Sequence, residues 1–135
     1  MHYEIKAYTH YKETEILPLY ESVGWTNYVN RADSLKEAYD HSLLTLAAYD
    51  ADTVVGLIRA VGDGVSIVFI QDLLVLPTYQ RQGIGTSLIQ ALLEKYKDVY
   101  QIELLTDNTE KNRAFYESFH MEAADKLDCM AYIKM

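Results

Sequence analysis

A glycine-rich segment between a predicted strand and a predicted helix carries the clearest chemical signal in this 135-residue chain. The segment Gln80–Thr86 reads QRQGIGT and follows the apolar stretch Val65–Leu76. Glycine lets the backbone approach a ligand closely, and a helix N-terminus carries about half a unit of positive charge. Arg81 adds a charged side chain to the same segment. We therefore predict that Gln80–Thr86 binds an anion, phosphate above all.

The spacing of this segment argues against two well-known phosphate loops. A Walker A loop ends in Gly-Lys-Ser/Thr, whereas Gly85 is followed directly by Thr86. A Rossmann loop needs a third small residue, and that place holds Leu88. Glu103 lies 20 residues after Gly83, where a ribose-binding acid would lie, but the 50 residues after Gly85 are too few to complete a dinucleotide fold. A tight strand-to-helix turn without a ligand stays open at this point.

A third pattern, Gln/Arg-x-x-Gly-x-Gly/Ala after a strand, is matched at each fixed place by Gln80–Gly85. The segment resembles the acetyl-CoA loop of the GNAT superfamily of N-acetyltransferases. The resemblance implies that acetyl-CoA is the acetyl donor and that loop amides bind its pyrophosphate. The residues so assigned are Gln80, Arg81, Gln82, Gly83, Ile84, Gly85 and Thr86. In this family the strand before the loop bulges, which implies cofactor contacts at Leu74, Val75 and Leu76, with backbone groups of Leu74 and Leu76 facing the pantetheine arm and the acetyl carbonyl.

A second segment, Ala114–Glu117, resembles the (F/L)-Y-E signature of many GNAT enzymes. The resemblance implies that the Tyr116 hydroxyl lies near the CoA sulfur. A tyrosine titrates near ~10, so at neutral pH it can donate a proton to the thiolate that an attacking amine expels. A core tyrosine on an amphipathic helix is the alternative. The family continues Y-E-x-x-G-F, whereas His120 and Met121 hold those last two places, so we expect the turn after this helix to differ.

The acceptor side of the predicted site is assigned to three residues. Asp72 lies two residues before the presumed bulge, and we predict that it is the base that takes the amine proton. A structural carboxylate, a water chain to solvent and Glu103 on the neighbouring strand are the alternatives. Trp25 and Tyr28 belong to no periodic element and are predicted to line the substrate pocket, with core packing as the alternative. A peptide N-terminus, a polyamine, an amino acid and an aminoglycoside all stay open as acceptors.

Composition bounds the class of protein. Half of the residues are apolar, which predicts one folded domain over residues 1–135. The net charge of −8 argues against nucleic acid and favours a cationic amine. The apolar runs are too short to span a bilayer, and no secretory signal is expected, so we predict a cytoplasmic protein. Cys129 is the only cysteine, which excludes an internal disulfide, and we expect it to be buried. His41 has no second histidine at i+3 or i+4, so no metal site is predicted.

The periodicity predicts the order β-α-α-β-β-β-α-β-α-β-β, an α/β (α+β) fold with a mixed, mostly antiparallel central sheet and helices on both faces. This is also the element order of the GNAT fold. The predicted strands are His2–Tyr8, Thr45–Tyr49, Thr53–Val61, Val65–Leu76, Tyr100–Thr106, Met121–Ala123 and Met130–Lys134. The predicted helices are Thr14–Val23, Ser34–Ser42 with a Ser34–Glu37 capping box, Ile84–Tyr96, and one capped by Asp107–Thr109 that runs to Ser118. The exposed closing strand favours a homodimer.

Two rival functions accompany the acetyltransferase reading. The first is a non-catalytic acyl-CoA-binding regulatory module on the same fold. The second is a nucleotide-binding domain that uses Glu103 on a ribose. Binding without transfer to an amine would identify the first, and competition between a nicotinamide dinucleotide and acetyl-CoA would identify the second.

Overall fold

The structure, a computed structural model, describes residues 2–135. The chain divides into two compact units, Met1–Leu104 and Leu105–Met135. The first unit holds the whole sheet and most of the helices, and the second holds one helix and the C-terminal segment. The prediction that residues 1–135 form one domain stays a prediction.

A five-stranded sheet organises the first unit. Its strands lie in chain order, and the first three pairs are antiparallel whereas the fourth pair is parallel. The strands are β1 Glu4–Ala7, β2 Leu44–Asp50, β3 Thr53–Gly62, β4 Ile67–Val75 and β5 Gln101–Leu104. Short polar turns join β2 to β3 and β3 to β4, as predicted, and a helix joins β4 to β5, which is why only that pair is parallel. The predicted mixed, mostly antiparallel fold class is confirmed.

Helices cover both faces of this sheet, also as predicted. They are α1 Glu13–Ser22, α2 Thr26–Val29, α3 Ala32–Asp40 and α4 Ile84–Lys95, and α5 Glu110–Glu117 belongs to the second unit. On one face, α1 and α3 pack against the sheet through a core that includes Ile16, Leu19 and Leu35. On the other face α4 buries four apolar side chains: Ile84, Leu88, Ile89 and Leu92. The apolar spacing that predicted each helix therefore marks its buried side.

The start of α3 differs from the prediction. Ser34 is not the N-cap, because the helix begins at Ala32 and its N-cap residue is Arg31, whose side chain makes no capping hydrogen bond. The Trp25–Tyr28 stretch, expected as a loop, contains the single turn α2. Asn30, which follows α2, has right-handed helical angles and leads the chain almost directly into α3. The prediction of a capping box at Ser34 was therefore wrong, because the preceding turn continues into the helix.

The two predicted closing strands were also wrong. Residues 105–135 contain α5 and a short 3-10 helix, Ala124–Leu127, but no strand. A strand needs a partner for its backbone N–H and C=O groups, and apolar alternation alone does not supply one. Met130, Tyr132 and Ile133 are 74%, 89% and 64% exposed. Cys129, which we expected to be buried, is exposed as well.

Candidate functional site

The predicted anion loop is a sharp reversal between β4 and α4. The 3-10 helix Pro77–Tyr79 follows β4, and the chain then turns through two residues with left-handed backbone angles, Arg81 at φ +65° and Gly83 at φ +84°. Gly83 is the N-cap of α4. The nearest atom to a Cβ built on Gly83 would be the Tyr3 hydroxyl oxygen at 3.8 Å, so space is available there. Glycine is favoured at this position by its backbone angle rather than by crowding.

The backbone donors of this loop have no partners in the structure. Within residues 2–135, no acceptor receives the N–H groups of residues 81–86, whereas Ser87 N–H donates to Gly83 O at 2.9 Å. The side chains of Arg81 and Gln82 are exposed. A run of unpaired amides at the positive end of a 12-residue helix can bind an anion. This is the arrangement that the sequence predicted for Gln80–Thr86.

A hydroxyl that the sequence analysis missed holds the loop in place. The Tyr3 hydroxyl lies 2.7 Å from Ser87 Oγ and donates to Gly83 O at 3.3 Å. On the other side of the loop, Gln80 Nε2 donates to Val75 O at 3.0 Å. No local pattern links residue 3 to a loop that follows it by some 80 residues. Only the pairing of β1 with the sheet brings Tyr3 to this place.

The edge of β4 opens beside this loop. The parallel pairing with β5 covers only Ile67–Ile70, so residues 71–75 have no strand on that side. On the other side, Leu76 N–H donates to Val55 O at 2.8 Å. Because antiparallel ladders alternate, the N–H of Leu74 also faces β3, and the N–H groups of Leu73 and Val75 face the open side.

This alternation bears on the predicted cofactor contacts. The N–H groups of Leu74 and Leu76 both face β3, and that these two residues offer backbone groups to a cofactor stays a prediction. Leu76 O also accepts a hydrogen bond from Tyr79 N–H at 2.8 Å. Of the three residues assigned on β4, only Val75 turns its N–H to the open side, and Leu73, which was not predicted, does the same.

The β-bulge also lies elsewhere than predicted. Arg59 pairs with Asp72 whereas Ala60 pairs with Ile70, so Gln71 is the extra residue on β4. A bulge changes the side to which the following side chains point. After it, Asp72 points toward α1, where it meets Tyr20. The bulge therefore places the predicted base on the same face as the aromatic residues of α1 and α2.

Asp72 is the centre of a buried hydrogen-bond network and is 2% exposed. Arg59 Nε donates to its Oδ2 at 2.7 Å, and the Tyr20 hydroxyl donates to the same oxygen at 2.8 Å. The Tyr28 hydroxyl donates to Oδ1 at 3.1 Å. Tyr20 has a single hydroxyl proton, which goes to Asp72, so the Tyr39 hydroxyl donates to Tyr20 across 2.8 Å. Both carboxylate oxygens are thus already hydrogen-bonded by neighbouring side chains.

Burial and charge shift the pKa values of this network. Burial raises the pKa of Tyr20 and of Tyr39 above the usual value, so both stay protonated. Burial alone would lower the pKa of Arg59, but the Asp72 carboxylate outweighs it and raises that pKa. The pKa of Tyr28 is raised as well, mainly by burial. A hydrogen bond from Gln71 lowers this pKa in part, and the charge of Asp72 raises it further. The network therefore holds one negative and one positive charge beside neutral hydroxyls.

The predicted pocket residues Trp25 and Tyr28 lie at the outer side of this network. The Tyr28 ring stacks on Tyr20 with centroids 4.5 Å apart, and Trp25 lies 5.9 Å from Tyr20. Gln71 Nε2, from the bulge, donates to the Tyr28 hydroxyl at 3.2 Å. Trp25 and Tyr28 are only half-buried. The structure thus joins Tyr28 directly to Asp72 and brings Trp25 beside them.

The sequence analysis did not include Arg59, Tyr20 or Gln71. A signal for Arg59 did exist, since it is the single charge within the apolar strand VVGLIRAVG and β4 carries a single acid. A buried charge needs a partner, so two opposite charges in successive apolar strands predict an ion pair. No comparable signal marked Tyr20, which lies among several apolar positions of α1.

Tyr116 lies on α5 in the second unit. Thr109 caps this helix as predicted, because its hydroxyl accepts from Asn112 N–H at 3.1 Å. Burial raises the pKa of Tyr116, although a hydrogen bond with Thr106 lowers it in part. After the helix, His120 adopts φ +65°, and Met121 N–H donates to Tyr116 O at 3.4 Å. His120 thus takes the left-handed conformation that glycine favours at such a place, and the expectation that this turn differs from that of the family stays a prediction.

The comparisons with known proteins agree with this fold. A family model described as the Acetyltransferase (GNAT) family matches residues 6–121. A GNAT family acetyltransferase from Streptococcus pneumoniae is 48% identical, with a TM-score of 0.90 over 99% of this chain and 98% of that chain. AAC(6')-Iy in complex with the bisubstrate analogue CoA-S-monomethyl-acetylneamine is 17% identical, with a TM-score of 0.70 over 100% of this chain and 99% of that chain, and shares the fold.

A curated relative from Prochlorococcus marinus, an uncharacterized N-acetyltransferase (ycf52-like), is 34% identical over 88 residues. The match covers 62% of this chain and 48% of the relative, so it spans about half the length of that protein. Among residues 2–135, no helix is long and apolar enough to cross a membrane.

Proposed function

The chain belongs to the acetyltransferase (GNAT) family, and from this premise we propose that it transfers the acetyl group of acetyl-CoA to a primary amine by direct attack in a ternary complex. The observation that carries the proposal is the loop at the start of α4, where consecutive backbone N–H groups have no acceptor within residues 2–135. Unpaired donors at a helix N-terminus match the pyrophosphate of a CoA ester. The GNAT family generally uses acetyl-CoA, so fold and loop point to the same donor.

The residues of the loop and of β4 fit acetyl-CoA in different ways. Gly83 gives the loop its left-handed turn, and the exposed Arg81 adds a positive charge for the phosphates. On β4, the N–H groups of Leu73 and Val75 face the side without a strand, where an extended pantetheine arm could pair with them. Acetyl-CoA supplies the activated acyl group as a thioester. The chain itself supplies binding, orientation and the proton transfers.

We assign the acceptor amine to the half-buried surface formed by Trp25 and Tyr28. The net charge of −8 favours a cationic acceptor there. Three side chains already donate hydrogen bonds to Asp72, so the amine does not contact this carboxylate directly. Asp72 instead serves as the base through the Tyr28 hydroxyl, which lies between them. The ammonium gives a proton to the Tyr28 oxygen while the Tyr28 hydroxyl proton passes to Asp72, which leaves a neutral amine to attack the thioester.

In this proposal, Tyr116 is the proton donor in the second proton transfer. When the neutral amine nitrogen bonds to the thioester carbon, the carbon–sulfur bond breaks and a thiolate leaves, and the nitrogen releases its extra proton to solvent. The Tyr116 hydroxyl donates its proton to that sulfur and regains one from solvent. The raised pKa of Tyr116 keeps it protonated throughout the neutral range, which supports a donor role.

The test begins with calorimetric titration of the purified protein with acetyl-CoA, and with coenzyme A in parallel. We expect micromolar binding with one equivalent per chain. A screen of primary amines for thiol release then tests transfer. Absence of heat at millimolar concentrations of both compounds would rule out the loop as a CoA site and with it the acetyltransferase proposal.

A second candidate is a module that binds acyl-CoA without transferring the acyl group. The observation in its favour is the saturation of Asp72, whose two oxygens already accept hydrogen bonds from Arg59, Tyr20 and Tyr28. Such a carboxylate stabilises the fold without any catalytic task. This candidate predicts the same calorimetric result but no thiol release with any amine. The first candidate predicts release with at least one amine class.

We also propose a homodimer through the C-terminal segment. Its predicted closing strand is not formed, yet Met130, Tyr132 and Ile133 expose large apolar surfaces. Exposed apolar patches of this kind mark interaction sites. Light scattering after gel filtration should give twice the chain mass of 15.5 kDa. A chain ending at Asp128 should be monomeric, and a monomeric full-length chain at all concentrations would contradict the dimer.

A further inference from the structure

The β-bulge of β4 brings two consecutive side chains to the same hydroxyl group. In a regular strand, successive side chains point to opposite faces of the sheet. Gln71 is the extra residue of the bulge, and here both Gln71 and Asp72 reach Tyr28 of α2. Gln71 Nε2 lies 3.2 Å from the Tyr28 oxygen, and Asp72 Oδ1 lies 3.1 Å from it. The bulge thus places one hydroxyl between an amide and a carboxylate.

The chemistry of these two neighbours fixes the direction of the Tyr28 hydroxyl. A phenol has one proton to donate, and its oxygen also accepts hydrogen bonds. The ionised carboxylate of Asp72 only accepts, whereas the NH₂ group of Gln71 only donates. A charged carboxylate is also a stronger acceptor than an amide oxygen. The Tyr28 proton therefore points to Asp72, and the Tyr28 oxygen accepts from Gln71.

The two oxygens of Asp72 differ in how many donors they have. Oδ2 accepts from Arg59 Nε at 2.7 Å and from the Tyr20 hydroxyl at 2.8 Å. Among residues 2–135, the Tyr28 hydroxyl is the one side-chain donor to Oδ1. Hydrogen bonds to the charged form of a carboxylate oppose its protonation, so the oxygen with two donors is the poorer proton acceptor. The proton that the proposed transfer sends to Asp72 therefore goes to Oδ1, along the hydrogen bond from Tyr28.

Each tyrosine hydroxyl that donates to Asp72 itself accepts a hydrogen bond. Tyr39 donates to Tyr20 across 2.8 Å, and Gln71 donates to Tyr28. The two donors differ in burial, because Tyr39 is buried whereas Gln71 is exposed. Without the Gln71 amide, water would contact the half-buried Tyr28 hydroxyl. Water accepts as well as donates, so the hydroxyl would then be free to turn away from Asp72.

We propose that Gln71 is a positioning residue for the proton transfer: its amide N–H at the Tyr28 oxygen keeps the hydroxyl proton directed at Asp72 Oδ1. This role rests on the transfer proposed above and adds a residue to it. The ammonium proton moves to the Tyr28 oxygen and the hydroxyl proton moves to Oδ1, while Gln71 gives up no proton. The Tyr28 oxygen has two lone pairs, so the Gln71 N–H leaves one of them for the ammonium.

The groups around Tyr28 act on its pKa in both directions. Burial raises the pKa, and the hydrogen bond from Gln71 lowers it in part. The charge of Asp72 on β4 raises it further, whereas the charge of Arg59 on β3 lowers it. Tyr20 of α1, whose ring stacks on that of Tyr28, stays neutral because burial raises its own pKa. The Gln71 N–H thus favours release of the Tyr28 proton toward Asp72.

The first test uses the protein without CoA and observes tyrosine Cζ atoms labelled with ¹³C at neutral pH. The Tyr28 resonance is assigned by its loss in Tyr28→Phe. Gln71→Met keeps the length of the side chain but removes the N–H, so the Tyr28 resonance should move. Gln71→Glu replaces the donor with a second acceptor, so the movement should be larger. Gln101→Met, at an exposed position of β5, should leave the resonance in place. An unmoved Tyr28 resonance in both Gln71 variants would overturn the proposal.

The second test measures turnover with an amine that the parent protein acetylates. In Gln71→Met, kcat should fall at least about fivefold, less than a usual general-base effect because Tyr28 and Asp72 are still present. The Kd for acetyl-CoA and the midpoint of urea unfolding should stay the same, because Gln71 is exposed and lies outside the loop Gln80–Thr86. Equal kcat in Gln71→Met and Gln101→Met would overturn the positioning role. If the parent released no thiol with any amine, the proposed transfer would fail and this role with it, whereas a moved Tyr28 resonance would still support the hydrogen bond from Gln71.

Discussion

The network around Asp72 and the loop Gln80–Thr86 use their polar groups in opposite ways. Around Asp72, a buried ion pair and three tyrosine hydroxyls satisfy one another within the protein. In the loop, a run of backbone N–H groups has no acceptor within residues 2–135. A network with all partners in place contributes rigidity and position, and a set of unpaired donors is available to a ligand. The difference separates polar groups that are paired within the protein from backbone groups that are available to a ligand.

The two regions also fail differently when one residue is changed. Loss of a member of the closed network leaves a buried partner without compensation, so its effect falls on stability. Loss of the open loop's geometry leaves no buried group stranded, so its effect falls on ligand affinity. Each variant below is therefore measured for both unfolding and binding.

The largest effect is expected for Asp72→Ala. This change leaves the guanidinium of Arg59, whose side chain is 5% exposed, without its counter-ion. Breaking a buried pair by removing one partner costs about 3–5 kcal/mol, and we expect a loss of that size in the free energy of unfolding in urea. Asp52→Ala, the matched change at an exposed turn, should cost less than about 0.5 kcal/mol.

A double variant sharpens this result. Replacing both charges, Arg59→Met with Asp72→Leu, should restore most of the lost stability because no buried charge is left unpaired. The same variant should release no thiol with amines if Asp72 acts as the base. A loss below about 1 kcal/mol in Asp72→Ala would show that the pair is not a closed structural unit.

The next effect is expected for Gly85→Glu in the first turn of α4. A carboxylate there would repel the phosphates and take their place at the helix N-terminus, so affinity for acetyl-CoA should fall at least about 100-fold by calorimetry. The free energy of unfolding should change little, because an acid in the first turn of a helix is favourable. Gln90→Glu, the same added charge further along α4, should leave the affinity within about threefold. Unchanged affinity in Gly85→Glu would make the loop structural only.

A smaller effect is expected for Tyr116→Phe. Turnover should fall about tenfold, which is less than a usual general-acid effect because a thiolate leaves readily. The dissociation constant for acetyl-CoA should stay the same, since only the reacting sulfur loses a donor. Tyr100→Phe, at a position that is 81% exposed, is the matched control. Equal turnover in Tyr116→Phe would remove this residue from the mechanism.

The comparison also explains what the sequence could predict. The open loop is a local feature, in which strand, glycine positions and helix follow one another, so the sequence predicted the turn between β4 and α4. That this loop binds an anion stays a prediction. Asp72 was identified, but its partners Tyr20 and Arg59 come from other elements, 52 and 13 residues away, and only the fold assembles them. The bulge at Gln71 depends on the register with β3, which no local pattern specifies.

The closing strands failed for a related reason. The alternation at Met130–Lys134 satisfies the side-chain rule for a strand, but a strand also needs backbone partners on a neighbouring strand. The start of α3 failed because the turn α2 continues into it, which the capping pattern at Ser34 does not record. In contrast, the cap at Thr109 was predicted correctly, since its one hydrogen bond reaches only three residues along the chain.

The smallest effects compare two non-glycine residues in the same left-handed conformation, Arg81 in the open loop and His120 after α5, both at φ +65°. A non-glycine side chain costs about 1–2 kcal/mol in this conformation, so replacing it with glycine removes that cost. Glycine loses part of this gain again, because the unfolded chain has more conformational freedom at a glycine. We expect Arg81→Gly and His120→Gly each to raise the free energy of unfolding in urea by roughly 0.5 kcal/mol. Their effects on acetyl-CoA affinity should differ. Arg81→Gly removes a charge from the phosphate site and should weaken binding several-fold, whereas His120→Gly should leave it unchanged. Equal acetyl-CoA affinities of the two variants would mean that the Arg81 side chain does not contribute to phosphate binding. The contrast between the open loop and the closed network would then rest on the backbone amides alone.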